Sequence, residues 1–318
     1  MNIQEIYKLA IKMGIENDFR PKQQIEKQMK RQKEKYEKLS KDQKEIFDVE
    51  KLKNPYADSR IHFDNGKKNI KKVMVGIDID TAEIMLAEEL DIETVIAHHP
   101  VGMGLVGLDD VMRLQADVLE QYGVPINVAE SLMKIRISEV GRGISAENHY
   151  KEIDAAKLMN ISLMNVHTPA DNLVARFVDN KIKKDKPEYV GDVIKSLLEI
   201  PEYKEAAKKG FGPVIFSGSE DNRTGKIALT EITGGTSGSK NIYEKLSQAG
   251  IGTVIGMHMS EEHRKEAEKY HINVVIAGHI SSDSLGMNLF LDELEKKGIE
   301  IVPCSGLIRV SRNKKKKK

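Results

Sequence analysis

The stretch Thr94-Val95-Ile96-Ala97-His98-His99-Pro100 reads as a buried strand that ends in two imidazoles and a turn. Two further apolar runs end the same way, Leu163-Met164-Asn165-Val166-His167 and Val274-Val275-Ile276-Ala277-Gly278-His279. Short runs rich in Val and Ile, alternating with helical segments, are the pattern of parallel strands covered on both faces. In open α/β sheets, ligands bind beyond the carboxyl ends of the strands. Histidines that close three such strands are therefore expected on one rim. In two of the runs a carboxylate follows four residues after the histidine, Asp171 after His167 and Asp283 after His279. Four His and two Asp on one rim have the composition of a metal site.

Outward from these runs the α/β alternation covers most of the chain. Strands are expected at Val73–Ile79, Thr94–Ala97, Pro125–Val128, Ile161–Val166, 251–255, 272–277 and 299–303. Helices are expected at Thr81–Leu90, Leu108–Tyr122, Leu173–Ile182, 240–249, 260–270 and 284–297. Such alternation favours parallel strands joined by right-handed crossovers. Pro213–Ser217 and Lys226–Thr233 look like a hairpin around Asp221-Asn222. Residues 1–58 differ from the rest. Ile3, Ile6, Leu9, Ala10 and Met13 share one helical face, and a second helix from about Lys22 to Lys44 has a thin apolar stripe. Positions 20–44 hold ten Lys/Arg and four Asp/Glu, which suits either a basic nucleic-acid arm or a solvated hairpin laced with i,i+4 pairs; the hairpin is the simpler reading. Asn54-Pro55-Tyr56-Ala57-Asp58 marks a turn-rich boundary. The expected organisation is a helical extension over 1–58, a first α/β lobe over 59–182, a second over 183–305, and a basic disordered tail over 306–318. The last strand of the second lobe is free to return to the first.

Composition narrows the class. The chain has 318 residues, 40% of them apolar, no Trp, and a net charge of +1. The core must be aliphatic, and the balanced charge gives no global case for nucleic acid or a membrane. No apolar run approaches the roughly 20 residues needed to span a bilayer. The single Cys304 rules out an intrachain disulfide, and with no signal-peptide pattern it fits a reducing cytoplasm.

Adjacent His98 and His99 point to opposite sides of an extended chain, so they chelate one ion poorly but can serve two neighbouring ions, or one ion plus a substrate. Pro100 keeps His99 out of helical geometry. Asp171 and Asp283 each have an ordinary alternative as helix N-caps. Mixed imidazole and carboxylate ligands suit zinc, iron or manganese, and open coordination positions belong to catalytic sites. Gly102-x-Gly104-x-x-Gly107 matches a dinucleotide fingerprint as text, but His98-His99-Pro100 occupies the turn that needs the first glycine. Gly234-Gly235-Thr236-Ser237-Gly238 precedes a helix and is either an anion-binding turn or a plain one. His258 ends strand 251–255 and is a candidate proton-transfer group. Asp78 and Asp80 close the first core strand and are candidates to support the ligands. His149, His263 and His271 read as solvated, and Cys304 as buried and inert.

The set Ile96-Ala97-His98-His99-Pro100, His167-Thr168-Pro169-Ala170-Asp171, Thr233-Gly234-Gly235 and Gly278-His279-Ile280-Ser281-Ser282-Asp283 resembles the NIF-three-like dinuclear metal-centre family, the GTP cyclohydrolase I type 2 homologues. The resemblance runs from about Ser59 to the end of strand 299–303. It implies two linked α/β lobes with mainly parallel sheets, a pair of divalent metal ions (Zn, Fe or Mn) between them, and a homo-oligomer, a toroidal hexamer. By position it implies metal ligands His98, His99, Asp171, His279 and Asp283, with His167 beside them. The family carries a metal-bridging Glu where this chain has Asp283, one methylene shorter. The extension 1–58 lies outside the common family core.

The function expected from residues and resemblance together is metal-dependent hydrolysis of a small-molecule, nucleotide or phosphoester-type substrate. A metal-activated water would attack, and His167 or His258 would move the proton. The alternative is a metal-binding protein without turnover, serving storage, delivery or a regulatory, transcription-related contact. Nucleic-acid binding through the basic helix and the C-terminal lysines is a third expectation.

Overall fold

A computed structural model describes residues 1–313; the lysine run 314–318, assigned above to a disordered tail, lies outside the described residues. In chain order the elements are α1 (Ile3–Asn17), α2 (Lys22–Glu37), α3 (Lys41–Glu45), a 3₁₀ turn (Val49–Leu52), β1 (Arg60–Phe63), β2 (Lys72–Gly76), α4 (Thr81–Glu89) and β3 (Thr94–Ala97). Then come α5 (Gly102–Val106), α6 (Leu108–Val111), α7 (Arg113–Gln121), α8 (Ile126–Ile144), α9 (Lys151–Leu158), β4 (Ser162–Asn165) and α10 (Thr168–Asp185). The remainder is α11 (Val190–Leu198), α12 (Pro201–Lys208), β5 (Val214–Ser217), β6 (Lys226–Leu229), α13 (Ile242–Gln248), β7 (Ile251–Gly256), α14 (Glu261–Lys269), β8 (Asn273–Ile276), α15 (His279–Lys296) and β9 (Glu300–Pro303).

Two sheets divide these strands, one ordered β1-β4-β3-β2-β9 and the other β5-β8-β7-β6. The orders β1-β4-β3-β2 and β5-β8-β7-β6 are the same path traced twice. In each, the first strand runs antiparallel to its neighbour and the other pairs are parallel. The fold is thus mixed α/β with two mainly parallel sheets, and each lobe repeats the topology of the other. β9 returns to the first sheet and pairs with β2.

The lobes exchange helices. α10 leaves the end of β4 and leads to α11 and the second lobe, while α15 leaves the end of β8 and leads back to β9. The two helices cross where Gly286 meets Ala170; a Cβ on Gly286 would lie 2.3 Å from the Ala170 carbonyl oxygen, so only glycine allows the approach. Ala170, Leu173, Met287 and Phe290 join one core cluster, and Val174, Ala175 and Leu285 another. This crossing sets the starts of α10 and α15 side by side.

Several sequence expectations need correction. Pro125–Val128 is not a strand. Pro125 sits just ahead of α8, where its fixed φ of −57° and missing N–H cost nothing, and Ala129 belongs to that helix's buried face. β5 and β6 do not form a hairpin, for they lie at opposite edges of the second sheet. The link between them is drawn onto the start of α11 by Val190 N–H to Asn222 O and Thr224 N–H to Glu188 O. α10 and α15 begin earlier than expected, at Thr168 and His279. Residues 306–313, placed with the disordered tail, are fastened to the body instead: Arg309 pairs with Asp292 at 2.7 Å, and Arg312 forks onto the buried Glu202 at 2.8 Å.

The extension is no solvated hairpin along its whole length. α1 buries Ile3, Ile6, Tyr7, Ala10 and Ile11 in the first lobe's core. Beyond α1 a closed polar network ties it to α10. Arg20 pairs with Asp18 at 2.7 Å, Tyr56 donates to Asp18 at 2.9 Å, and Asn172 donates to Gly14 O and Tyr56 Oη at 3.2 Å. Thr233 from the second lobe completes it with a 2.5 Å bond to Asn172. α2 matches the solvated reading, burying only Ile25. Among the described residues no helix is long and apolar enough to cross a membrane.

Candidate metal centre

Each member of the His/Asp cluster is placed by the end of a strand. His98 and His99 follow β3 directly, and their backbone N–H groups continue the sheet to Gly76 O and Ile77 O. His167 and His279 stand at the starts of α10 and α15, so the aspartates four residues on lie one turn inside each helix, on the face that carries the histidine. That position removes the N-cap alternative for Asp171 and Asp283. Neither carboxylate accepts a hydrogen bond from any described residue.

The groups converge. His98 Nε2 lies 3.5 Å from Asp171 Oδ1 and 3.4 Å from Asp283 Oδ1. Asp283 Oδ2 lies 3.5 Å from His99 Nε2 and 3.6 Å from His279 Nε2. His167 Nε2 is 3.8 Å from Asp171 Oδ2. These separations exceed hydrogen-bond length. They match two ligands of one tetrahedral ion, which at bonds of about 2.1 Å stand about 3.4 Å apart. Ligand atoms gather into three overlapping groups: His98, Asp171 and Asp283; His99, His279 and Asp283; and His98, His99 and His167. The two oxygens of Asp283 face different imidazoles, so the shorter side chain reaches both of the groups it joins.

Hydrogen bonds behind the rings select which nitrogen faces inward. His98 Nδ1 donates to the Val166 carbonyl at 2.9 Å, and His99 Nδ1 pairs with Asp78 at 2.6 Å. Each leaves Nε2 as the inward lone pair, the arrangement that metal-binding histidines adopt. Of the two acidic candidates behind the ligands, Asp78 serves the cluster. Asp80 instead caps α4 and pairs with Lys151 at 2.9 Å.

The buried polar atoms of the cluster are not satisfied without a cation. His98 Nε2 and all four carboxylate oxygens of Asp171 and Asp283 are buried with no hydrogen-bond partner. Burial, Asp283 and Asp58 together raise the Asp171 pKa well above the usual carboxylate range. Burial also works against Asp283, but the surrounding His98, His99 and His279 hold it far below that range. Burial opposes a charged His99 as well, yet the Asp283 and Asp78 carboxylates push it up to about 9. Buried carboxylates left unpaired are strongly destabilising. A divalent cation resolves the conflict, so the residues present fit a metal ion of the imidazole- and carboxylate-binding type.

His258 sits on the open side, its ring 4.7 Å from that of His279 and its Nδ1 3.1 Å from Ser237 Oγ. It takes in the second lobe the place that His99 takes in the first, two residues beyond its strand. Burial lowers its pKa to about 4. His263, read as solvated, is buried. Its position three residues past the cap Ser260 turns it inward, where it bonds Gly238 O at 3.0 Å. His271 is exposed. Cys304 is half-buried, and burial raises its thiol to about 11. Gly104 and Gly107 are explained by close approach to Asp58 O and Ala57 O, and Gln115 binds the Gly234 and Thr236 carbonyls of the other glycine-rich stretch. A cleft of ≈ 1170 Å³ beside α1 is lined by residues such as Tyr7, Lys12 and Lys53 and by none of the cluster.

Sequence reading missed Asp58, which lies directly behind His167. Its Oδ2 accepts from His167 Nδ1 at 2.7 Å and from Thr168 Oγ1 at 2.6 Å.

Fold and site together define a two-lobed α/β protein with a buried His/Asp cluster able to hold a metal ion. The fold is shared with a solved structure: the chain is similar to a NIF3 superfamily protein from Sphaerobacter thermophilus, with a TM-score of 0.77 at 24% identity over 96% of this chain and 99% of that one. Other solved structures superpose less closely. Reduced HcgD from Methanocaldococcus jannaschii gives 0.47 at 18% identity over 76% of this chain and 87% of its own. A Bacillus cereus protein related to NIF3 gives 0.40 at 11% over 80% and 92%. No family model and no curated protein matches the chain.

Proposed function

We propose that the chain is a NIF-three-like dinuclear metal-centre protein and a metal-dependent hydrolase of a nucleotide or phosphoester-type substrate, assembled as a hexamer in the cytoplasm. One observation carries this reading: five buried polar atoms of His98, Asp171 and Asp283 lack any partner and stand at ligand spacing. His98, Asp171 and Asp283 would hold one ion, and His99, His279 and Asp283 the other, with Asp283 common to both. Ions held there would supply Lewis acidity, polarising a substrate oxygen and making water a competent nucleophile near neutral pH. The chain's own contribution is positioning and proton transfer. Val166 O and Asp78 fix the His98 and His99 rings, and the bare Nε2 of His167 beside Asp171 is placed to accept a proton. His258, half-buried and kept neutral beside His279, is placed to exchange protons with a bound substrate.

The test is turnover. Protein loaded with Zn, Mn or Fe is assayed on GTP and a panel of phosphodiesters, beside His98→Ala and Asp171→Ala. The reading expects hydrolysis that both variants abolish, with metal content lowered in each. Activity that survives both substitutions removes it.

A further inference from the structure

The strand-His-x-x-x-Asp unit occurs once in each lobe, yet only one of its two imidazoles is held from behind. We infer that Asp58 is a positioning residue of the metal centre, fixing His167 as the Nδ1–H tautomer and aiming a bare Nε2 at the cluster. The inference rests on the cluster's proposed role as a metal centre.

Asp58 is fully buried. Its Oδ2 collects three donors: His167 Nδ1 at 2.7 Å, Thr168 Oγ1 at 2.6 Å and the Thr168 N–H at 3.3 Å. A carboxylate oxygen only accepts, so the proton of this contact sits on His167 Nδ1. With the proton on Nδ1, the other nitrogen of the neutral ring, Nε2, is the bare one. That nitrogen looks toward Asp171 and belongs to a ligand group with His98 and His99.

The backbone around Asp58 is fixed just as firmly. Asn165 donates to the Asp58 carbonyl at 2.6 Å, and the Ser59 hydroxyl accepts the His167 N–H at 2.9 Å. Asp58 and Ser59 thereby cap α10 from a distant part of the chain, since α10 has no side-chain cap of its own.

The second lobe provides an internal control. His279 occupies the matching place at the start of α15, but it is 41% exposed on its side chain, and no described residue bonds its Nδ1. Asp58 stands two residues ahead of β1; the residue two ahead of β5 is Gly212, which has no side chain to offer. A carboxylate behind an imidazole fixes its orientation and makes the far nitrogen more basic. Asp58 therefore sets His167 apart from His279: one ring is an oriented proton acceptor, the other an unanchored ligand.

The experiment reads tautomers directly. Full-length protein carrying ¹⁵N-histidine is stripped with a chelator, and long-range ¹H–¹⁵N correlation spectra are recorded, with His167 assigned by loss of its signals in His167→Gln. The expected wild-type pattern is a protonated Nδ1 and an unprotonated Nε2. In Asp58→Asn the amide can turn its NH₂ toward the ring, and the unprotonated Nε2 signal is expected to be lost or strongly reduced. Ser59→Ala removes its own share of the cap and leaves the Asp58 contact with the ring in place; it should lower thermal stability and leave the tautomer unchanged. A protonated Nε2 in the wild type overturns the inference even if Asp58→Asn does not fold. So does a folded Asp58→Asn that keeps the wild-type pattern. Titrating Zn into the same wild-type sample separates the two claims: failure to perturb His98, His99 and His279 sinks the metal centre, whatever the tautomer of His167.

Discussion

The starts of α10 and α15 are the same device built twice, and they differ in what surrounds it. At α10, His167 is buried and anchored through Nδ1 to Asp58, and Asp171 faces His98 and His167. At α15, His279 is open to solvent, while Asp283 is fully buried and meets imidazoles from both lobes. The repeated topology brings both units to one place, and the neighbours then give them separate tasks. A motif's spacing defines what it can reach; the opposing lobe defines what it does.

The largest expected effect breaks the symmetry of the two aspartates. Asp283 is common to both ligand groups that contain a carboxylate, so Asp283→Ala should empty the site entirely. Asp171 belongs to one, so Asp171→Ala should halve the bound metal, measured by elemental analysis of purified protein. Equal losses in the two variants would contradict the sharing of Asp283.

A second contrast lies one residue along α10. Asp171 has no partner, whereas Asn172 is held by Gly14, Tyr56 and Thr233 in the network that Asp18 and Arg20 complete. Asp18→Ala leaves the buried Arg20 with only Gln28 and the more distant Asp117 carboxylate, 3.9 Å away, and should cost about 3 kcal/mol in urea unfolding. In metal-free protein, Asp171→Asn should be neutral or stabilising, because it removes a buried carboxylate that nothing compensates. If both variants destabilise alike, the distinction between a structural and a ligand-binding cluster fails.

Gly286→Ala probes the crossing itself. A methyl group driven into the Ala170 carbonyl should cost about 1–3 kcal/mol and separate Asp171 from Asp283, seen as a lower melting temperature with weaker metal retention against a chelator. Smallest, Thr233→Val removes one bond to Asn172 across the lobes and should cost about 1–2 kcal/mol with metal content unchanged.

Much of this site was legible in sequence because strand ends are. His98, His99, His167 and His279 each close an apolar run, but the single rim expected is two: the first three follow strands of the first sheet and His279 a strand of the second, and the meeting of the lobes joins them. Asp171 and Asp283 stood out as carboxylates four residues after their histidines, although their caps-or-ligands ambiguity needed the true helix starts to settle it. Asp58 was not legible: it reads as one more turn residue in Asn54-Pro55-Tyr56-Ala57-Asp58, and its partner lies 109 positions away. Gly286 was hidden for a related reason, since a glycine inside a helix shows its purpose only when the crossing helix is in place. The strand read at Pro125–Val128 failed because four apolar or small residues after a proline fit the first turn of a helix equally well.

Crystals of the full chain grown with Zn or Mn, with data collected on either side of the metal's absorption edge, test the central claim most directly. Two anomalous peaks are expected, one among His98, Asp171 and Asp283 and the other among His99, His279 and Asp283. No peak at the cluster, with His98 Nε2 and the carboxylates of Asp171 and Asp283 still unpartnered, would contradict it.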